Sequence, residues 1–208
     1  TTAGAYDTTY NGPLSNHNEV VVSKLNTTLT TLQASTFVGG DGEDVGMNIA
    51  YANSSVYIVG STSSTNFPDT IGSTLAGSDD AFITRLDSSL ATIGASRYLG
   101  GSGSDIANAV AVTSTNAFVT GTTFSSNFPV SGFDTTYNGS ADVFVAALGS
   151  TFALTASTYL GDTGYDNATS IALSGSSVLV AGGTGSSSFP MPNATAYDRT
   201  YHGGGTDG

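Results

Sequence analysis

Several residue types are rare or missing in this chain of 208 residues, and each shortage removes a class of function. There is no cysteine, which excludes disulfides, thiolate metal sites and thiol nucleophiles. Only 4 lysine and arginine residues stand against 16 aspartate and glutamate residues, too few cations to neutralise the phosphates of a nucleic acid. We therefore expect neither nucleic acid nor an anionic membrane as a partner.

Long apolar runs are missing as well. No run approaches the roughly 18 residues that span a bilayer, and no amphipathic helix is visible, so the sequence predicts no membrane insertion. A signal peptide is also absent, but the chain begins within a repeat, and we expect its natural N-terminus to lie outside this sequence. The acidic residues, which give a net charge of -12, are scattered along the chain and favour a self-repelling soluble surface over an acidic binding patch.

Repetition is the most prominent feature of the sequence. One segment, a Gly-rich turn followed by two short apolar runs and a Phe-Pro pair, is written three times. Its matched aspartates Asp44, Asp105 and Asp166 recur every 61 residues, and a fixed period of this size indicates a repeat architecture. The three copies are 37–68, 98–129 and 159–190.

Each repeat contains four apolar runs of about six residues that are rich in β-branched and aromatic side chains. Because short turns join them, the sequence predicts four strands per repeat in an antiparallel meander. The predicted first strands are 19–25, 80–86 and 142–148; the second are 32–38, 93–99 and 154–160; the third are 47–53, 108–114 and 169–175; and the fourth are 55–61, 116–122 and 177–183.

The third strand has a bulky residue on one face and alanine on the other, because successive side chains of a strand point to opposite faces. Since both faces are apolar, we expect each small sheet to be covered on both sides by its neighbours, as the blades of a β-propeller are. The bulky residues are Ile49, Val110 and Ile171, and the alanines that directly follow them are Ala50, Ala111 and Ala172.

The unit YLGGSGSDIANAVAVTSTNAFVTGTTFSSNFP (98–129), with DTTYNG (134–139) and DAFITRL (80–86), resembles the SBBP repeat of bacterial and archaeal β-propellers. The resemblance covers essentially the whole chain, although the last copy has Gly161-Asp162 where the others have Gly-Gly. It implies an all-β fold of propeller blades, each a four-stranded antiparallel repeat of about 61 residues. For function, it implies large secreted or cell-surface proteins.

By analogy with related propellers, the third strand is innermost and the second outermost. One propeller array then covers 1–208, with an incomplete ring because propellers usually need four to eight blades. Two interpretations are open: a segment of a longer propeller, or separate chains that complete each other's split blade and build a ring or filament. The sequence repeats are 6–70, 71–132, 133–196 and the partial 197–208; the whole blades are 46–99 and 107–160; and the half blades are 19–38 and 168–183.

The Gly-rich turns GGDGEDVGM (39–47) and GGSGSDIAN (100–108) loosely fit the pattern of calcium-binding β-rolls. Calcium in such rolls needs nonapeptides stacked in direct succession, whereas these copies lie 61 residues apart. We therefore favour turns in which glycine adopts positive φ and aspartate caps backbone N–H groups. The alternative to these capped turns is a calcium site, and calcium is the only cofactor that the sequence suggests. The candidate ligands are Asp41, Glu43, Asp44, Asp105 and Asp166.

The connector between a Phe-Pro pair and the next first strand carries a recurring pair of aromatic residues beside an aspartate. We favour packing of these rings against the blade edge; the alternative is stacking on sugars. The candidate glycan-binding residues are Tyr6, Tyr10, Phe133, Tyr137, Tyr197 and Tyr201. Candidate N-glycosylation sites, all at predicted turns or strand edges, are Asn26, Asn53, Asn138, Asn167 and Asn193.

No pattern in the sequence indicates catalysis. The two histidines, His17 and His202, lie in non-equivalent loops, and no HExxH, GxSxG or Walker motif is present. The leading hypothesis is a non-enzymatic extracellular or cell-surface scaffold, or a self-assembling subunit, whose partners are copies of itself or the remaining blades of a longer chain. The alternative is a glycan-binding, lectin-like propeller that uses the Tyr/Asp connector.

Overall fold

A computed structural model of the protein describes residues 1–12, 17–191 and 196–203. These residues form an all-β structure without helices, so the predicted all-β class is confirmed. The strands are β1 (Val20–Leu25), β2 (Leu32–Val38), β3 (Asp44–Ala52), β4 (Ser55–Thr62), β5 (Asp80–Asp87), β6 (Ile93–Leu99), β7 (Asp105–Val112), β8 (Ala117–Thr123), β9 (Asp142–Leu148), β10 (Leu154–Leu160), β11 (Asp166–Ser174) and β12 (Ser177–Thr184).

The strands form four antiparallel sheets, and each sheet follows the order of the sequence. Two are complete meanders, β3-β4-β5-β6 and β7-β8-β9-β10, and two are hairpins, β1-β2 and β11-β12. The complete sheets span 44–99 and 105–160, where the sequence predicts blades at 46–99 and 107–160. Short turns keep consecutive strands adjacent, which is why no sheet contains a crossover.

The third strand of each repeat begins three residues before its predicted start, and the predicted starts at 47, 108 and 169 are wrong. The strand instead starts at the aspartate of the Gly-rich turn, where Asp44 pairs with Thr62. A register shift then separates Gly46 from Asn48, and equivalent shifts follow in β7 and β11. An inserted residue of this kind interrupts the side-chain alternation, so the sequence pattern becomes regular only after it.

The sheets stack in chain order, and the third strands of the repeats make much of the contact. Strand β7 packs against β3, β4 and β5, and β11 packs against β7, β8 and β9. One apolar core, with Val38, Phe82 and Tyr98, lies where β1-β2 meets β3-β6. A second, with Ile83 and Phe144, lies where β3-β6 meets β7-β10. Each fully buried side chain of this size contributes about 1.5–3 kcal/mol, so neighbouring sheets depend on each other for stability.

Equivalent apolar residues are buried or exposed according to whether a neighbouring sheet covers them. Val110 on β7 is 7% exposed because it packs into the core shared with the preceding sheet, whereas Ile49 at the same position of β3 is 59% exposed. The Phe-Pro phenylalanines follow the same rule. Phe67 and Phe128 are buried, and their rings lie 4.6 Å from those of the outer-strand residues Phe82 and Phe144.

Phe189 occupies the same repeat position in the last copy and is only half-buried. Within the described residues, β12 has no outer strands beside it to supply the ring that would cover Phe189. Among the described residues, the phenylalanine of the Phe-Pro pair is therefore fully buried only in the two complete sheets.

Candidate functional site

Pairs of carboxyl groups mark each place where one sheet passes to the next. One carboxyl begins a first strand and the other begins the third strand that follows it, and both lie against the glycine that opens the Gly-rich turn. At Gly100, an added Cβ would lie 2.6 Å from Asp80 and 2.7 Å from Asp105. We call each arrangement an acidic joint; the three joints are Glu19 and Asp44 at Gly39, Asp80 and Asp105 at Gly100, and Asp142 and Asp166 at Gly161.

The third-strand carboxyl of each joint holds the Gly-rich turn to the loop after the fourth strand. Asp105 Oδ2 accepts hydrogen bonds from the Gly101 N–H (2.8 Å) and the Ser125 hydroxyl (2.7 Å). The Ser125 hydroxyl in turn accepts the Gly103 N–H at 2.8 Å. The other two joints repeat this network, with Ser64 and Ser186 in place of Ser125.

The first-strand carboxyl of each joint binds the connector. Asp80 accepts hydrogen bonds from the N–H groups of Ala76 (2.8 Å) and Gly77 (3.1 Å). Asp142 accepts from Asn138 N–H at 3.1 Å, and Glu19 accepts from Asn11 N–H at 2.9 Å. Each acidic joint therefore ties together three segments that are distant in sequence.

Burial raises the pKa of carboxyl groups in the acidic joints. Asp80 and Asp142 are 1% and 0% exposed, and desolvation with the charge of the neighbouring carboxyl raises the pKa of each to about 6. Burial likewise raises the pKa of Asp44 and of Asp105. Asp80 and Asp142 therefore bind a proton at a higher pH than an ordinary aspartate does.

Two oxygens in these joints have no hydrogen-bond partner among the described residues, Asp105 Oδ1 and Asp142 Oδ1. The equivalent Oδ1 atoms of Asp44 and Asp166 accept the hydroxyls of Thr62 and Thr184. Thr123 occupies the same position beside Asp105 and favours its ionised form without making a well-formed hydrogen bond. The joints at Gly100 and Gly161 therefore each hold one buried carboxyl oxygen without a hydrogen-bond partner among the described residues.

Sequence reasoning found half of each joint. It singled out Asp44, Asp105 and Asp166 as turn caps, and the structure gives them that role. The positive φ expected of the turn glycines is wrong: no glycine in 39–47 or 100–108 has positive φ, and most of them instead lie too close to neighbouring atoms to carry a side chain. It missed the first-strand carboxyls Glu19, Asp80 and Asp142. The available signal was an acidic residue at the first position of all three predicted first strands.

The candidate calcium ligands do not converge. Asp41 accepts the N–H and hydroxyl of Thr65 at 2.9 and 3.0 Å, and Glu43 accepts from Asn18. Asp44 points into its own joint, and the remaining candidates, Asp105 and Asp166, lie in the other two joints. Across residues 1–12, 17–191 and 196–203, no group of three or more acidic, histidine or cysteine side chains is arranged to hold a metal ion.

The connector aromatics divide into two groups. Tyr10 and Tyr137 pack edge-on against the second-strand rings of Phe37 and Tyr159, at 6.2 and 6.0 Å between ring centroids. At the position four residues earlier in the connector, Phe133 and Tyr197 project outward, with exposed fractions of 75% and 107%. Tyr6 is 39% exposed, no more than Tyr10 at 41%, and Tyr201 is half-buried.

The candidate glycosylation sites lie in different settings. Asn53 and Asn138 are exposed in loops, and the half-buried Asn26 accepts two backbone hydrogen bonds within the β1-β2 turn. Asn167 is the second residue of β11 and is half-buried, which makes it less accessible than a loop residue. Asn193 lies outside the described residues.

Two apolar grooves border the hairpin sheets. One, of about 510 Å³, lies beside β12 and is lined by residues that include Val143, Leu160 and Phe189. The other, of about 400 Å³, lies beside β3 and is lined by residues that include Ile49 and Tyr51. Among the described strands, β12 pairs only with β11 and β1 pairs only with β2, so each hairpin has a free edge beside a groove.

No protein-family model matches this chain, and no curated protein matches it. The part of the chain that the structure describes contains no helix with the length and apolarity needed to cross a bilayer.

Proposed function

We propose that this chain is a non-enzymatic β-propeller module of the SBBP-repeat type, located outside the cell or at its surface, which acts as a scaffold or as the subunit of a ring or filament. The observation that carries the proposal is the stack of two complete meanders between two hairpin sheets, with each inner strand packed on the sheet before it. Propeller blades are four-stranded meanders that bury their faces against one another.

The distribution of exposed apolar residues supports a module that needs neighbours at both ends. In the complete sheets, the first-strand residues Phe82 and Phe144 are 0% exposed. At the N-terminal end, Val21, at the same position of β1, is 59% exposed, and at the C-terminal end Leu179 on β12 is 54% exposed. Apolar surface of this kind at the two ends of a stack favours continuation of the array.

The acidic joints support a structural role over an enzymatic one. A carboxyl with a pKa of about 6, such as Asp80 or Asp142, is suited to acid–base chemistry near neutral pH. Both carboxyls are almost completely enclosed and bind the backbone of their own connector. A substrate would have to displace these contacts, and the same arrangement recurs wherever two sheets join.

Electron microscopy of the purified protein tests this proposal. We expect discs, rings or fibres built from fanned four-stranded sheets, and a screen with small hydrolase and lyase substrates should show no turnover. A compact isolated monomer that turns over a small substrate would overturn the proposal.

A second candidate, glycan binding, is favoured by the outward rings of Phe133 and Tyr197, which recur at one repeat position. Aromatic faces at such positions can stack on sugar rings. Binding on a glycan array should then disappear in Phe133→Ala and Tyr197→Ala but persist in Phe124→Ala, which removes a 40%-exposed ring outside the connector. Tyr137 is a poor probe because its ring packs on Tyr159. A chain that binds no glycan removes this candidate.

A further inference from the structure

The two hairpin sheets are complementary halves of one complete sheet. Strands β11 and β12 correspond to the third and fourth strands of a repeat, and β1 and β2 correspond to its first and second strands. Resting on the proposed function, we propose that the partner is a second copy of this chain, whose β1-β2 hairpin docks on the free edge of β12 and completes a four-stranded sheet.

The complete sheets specify the register of this docking. Strand β4 pairs with β5 through Thr62 and Asp80, and β8 pairs with β9 through Thr123 and Asp142, at equivalent repeat positions. The same register carried to β12 and β1 pairs Thr184 with Glu19 of the second copy. Because a slip of one residue would turn every side chain to the wrong face, this register is strongly specified.

Shape agrees with the register at the most crowded position. In the complete sheets, glycine lies opposite the first-strand phenylalanine, and a Cβ added at Gly60 would lie 2.9 Å from the ring of Phe82. In the docked sheet, Gly182 lies opposite Val21, and Val21 enters the groove beside Phe189. Valine is smaller than phenylalanine, so it enters this position without a clash.

The β1-β2 turn provides an independent sign of a missing neighbour. Leu29, Leu90 and Phe152 occupy the same turn position with φ of 58°, 61° and 61°, so the three hairpins have one geometry. Leu90 and Phe152 are 1% exposed, and Phe152 packs against Tyr57 of the preceding sheet at 6.2 Å. Leu29 is 75% exposed. Docking places Leu29 against Phe118 of the first copy, the residue equivalent to Tyr57.

One docking event fills both grooves. The hairpin fills the groove beside β12, and the face of β11-β12 that carries the 54%-exposed Leu179 then covers Ile49 and Tyr51 of the second copy. Within the complete part of the stack, Val110 on β7 is buried by the preceding sheet in the same way. The partner therefore covers the exposed apolar residues at both ends of the array.

The second copy brings its own connector, which displaces the connector of the first. Residues 5–12 and 196–203 are equivalent copies of this element, and the N-terminal copy is held on β2 by Asp7, whose N–H donates to the Thr36 hydroxyl at 2.9 Å. Asp198 and Thr200 of the C-terminal copy line the groove beside β12. The C-terminal connector is thus a competitor for the docking site, and its removal should strengthen association.

Disulfide cross-linking between single-cysteine variants tests the register, since the chain contains no other cysteine. By the template of Val119 and Ala146, Val180 lies opposite Ser23 of the second copy. Directly opposed residues in a sheet are close enough for a disulfide. A mixture of Val180→Cys and Ser23→Cys proteins should give a covalent heterodimer at least about tenfold more abundant than that from Val180→Cys with Lys24→Cys, the slipped control.

Light scattering supplies a second measurement that does not depend on cysteine. Deletion of residues 192–208 should tighten self-association severalfold, and Leu29→Asp should weaken it severalfold with the circular dichroism spectrum unchanged. Equal cross-linking at Ser23 and Lys24, or no cross-linking and a monomer at every concentration, overturns docking by a second copy. If cross-linking is equal at the two positions and electron microscopy still shows discs, rings or fibres, the proposed function stands and only this register falls.

Discussion

The acidic joints predict that this protein is more stable in mildly acidic solution than at neutral pH. The carboxyls of Asp80 and Asp142 have pKa values of about 6 in the folded chain, above the value of about 4 for an unfolded aspartate. Protonation is therefore favoured by folding. The stabilisation is fully present below the unfolded pKa, is lost as pH rises through the folded pKa, and is absent above pH 7.

The magnitude follows from the size of the shifts. A shift of about two pKa units corresponds to roughly 3 kcal/mol, and relaxation of the joint reduces this to about 1–3 kcal/mol for each carboxyl. Between pH 7.5 and pH 4.5 each carboxyl gains at most about 2 kcal/mol of this, so two such joints make the free energy of unfolding about 2–4 kcal/mol larger at pH 4.5 than at pH 7.5.

Urea unfolding followed by circular dichroism between pH 4.5 and 7.5 measures this dependence. Asp142→Asn removes one titrating group, so it should abolish about half of the dependence and raise stability at pH 7.5. Asp87→Asn is the matched control, because a hydrogen bond from the Ser89 hydroxyl holds the pKa of Asp87 below its usual value and outside this window. A free energy of unfolding that is flat, or that rises from pH 4.5 to 6.5, would refute the reasoning.

Three further changes test the packing, each by urea unfolding at one pH. Gly100→Ala forces a Cβ against Asp80 and Asp105 and should lower the free energy of unfolding by about 1–3 kcal/mol. Gly149→Ala is the control and should be nearly neutral, because its Cβ would meet nothing closer than 3.9 Å. Equal losses of stability in the two variants would contradict the joint geometry. Phe128→Ala should cost about 3–5 kcal/mol and the half-buried Phe189→Ala clearly less, and a reversed order would show that outer strands already cover Phe189. Tyr159→Phe removes a 2.7 Å hydrogen bond to the buried Ser125 carbonyl and should cost about 1–3 kcal/mol, whereas Tyr197→Phe should cost nothing measurable.

Most of the strand architecture could be predicted from sequence because its signals are local. Alternating apolar residues and short polar turns fix the second strands at 32–38, 93–99 and 154–160, and these bounds are confirmed. The starts of the third strands failed because the bulge after Gly46 interrupts the alternation. A bulge depends on how two strands pair, and this information is absent from the periodicity of either strand alone.

The acidic joint could be predicted only in part because its two carboxyls meet through sheet stacking. Asp105 and the glycines of its turn are close in sequence, so the capping role follows from local spacing. Asp80 lies 25 residues earlier and in a different sheet, and its approach to Asp105 depends on how the sheets stack. The same reason separates Tyr137, which packs on Tyr159, from Phe133, which does not.

Because every joint contains the same serine–aspartate hydrogen bond, made by Ser64, Ser125 and Ser186, the array can change length in whole periods without new chemistry. Duplication or loss of a 61-residue unit would reproduce an existing joint, and unequal recombination between copies would yield a folded product. An insertion of any other length inside a turn would separate one serine from its aspartate. We therefore expect this chain to evolve by gain or loss of whole repeats, while the length of each turn stays constant.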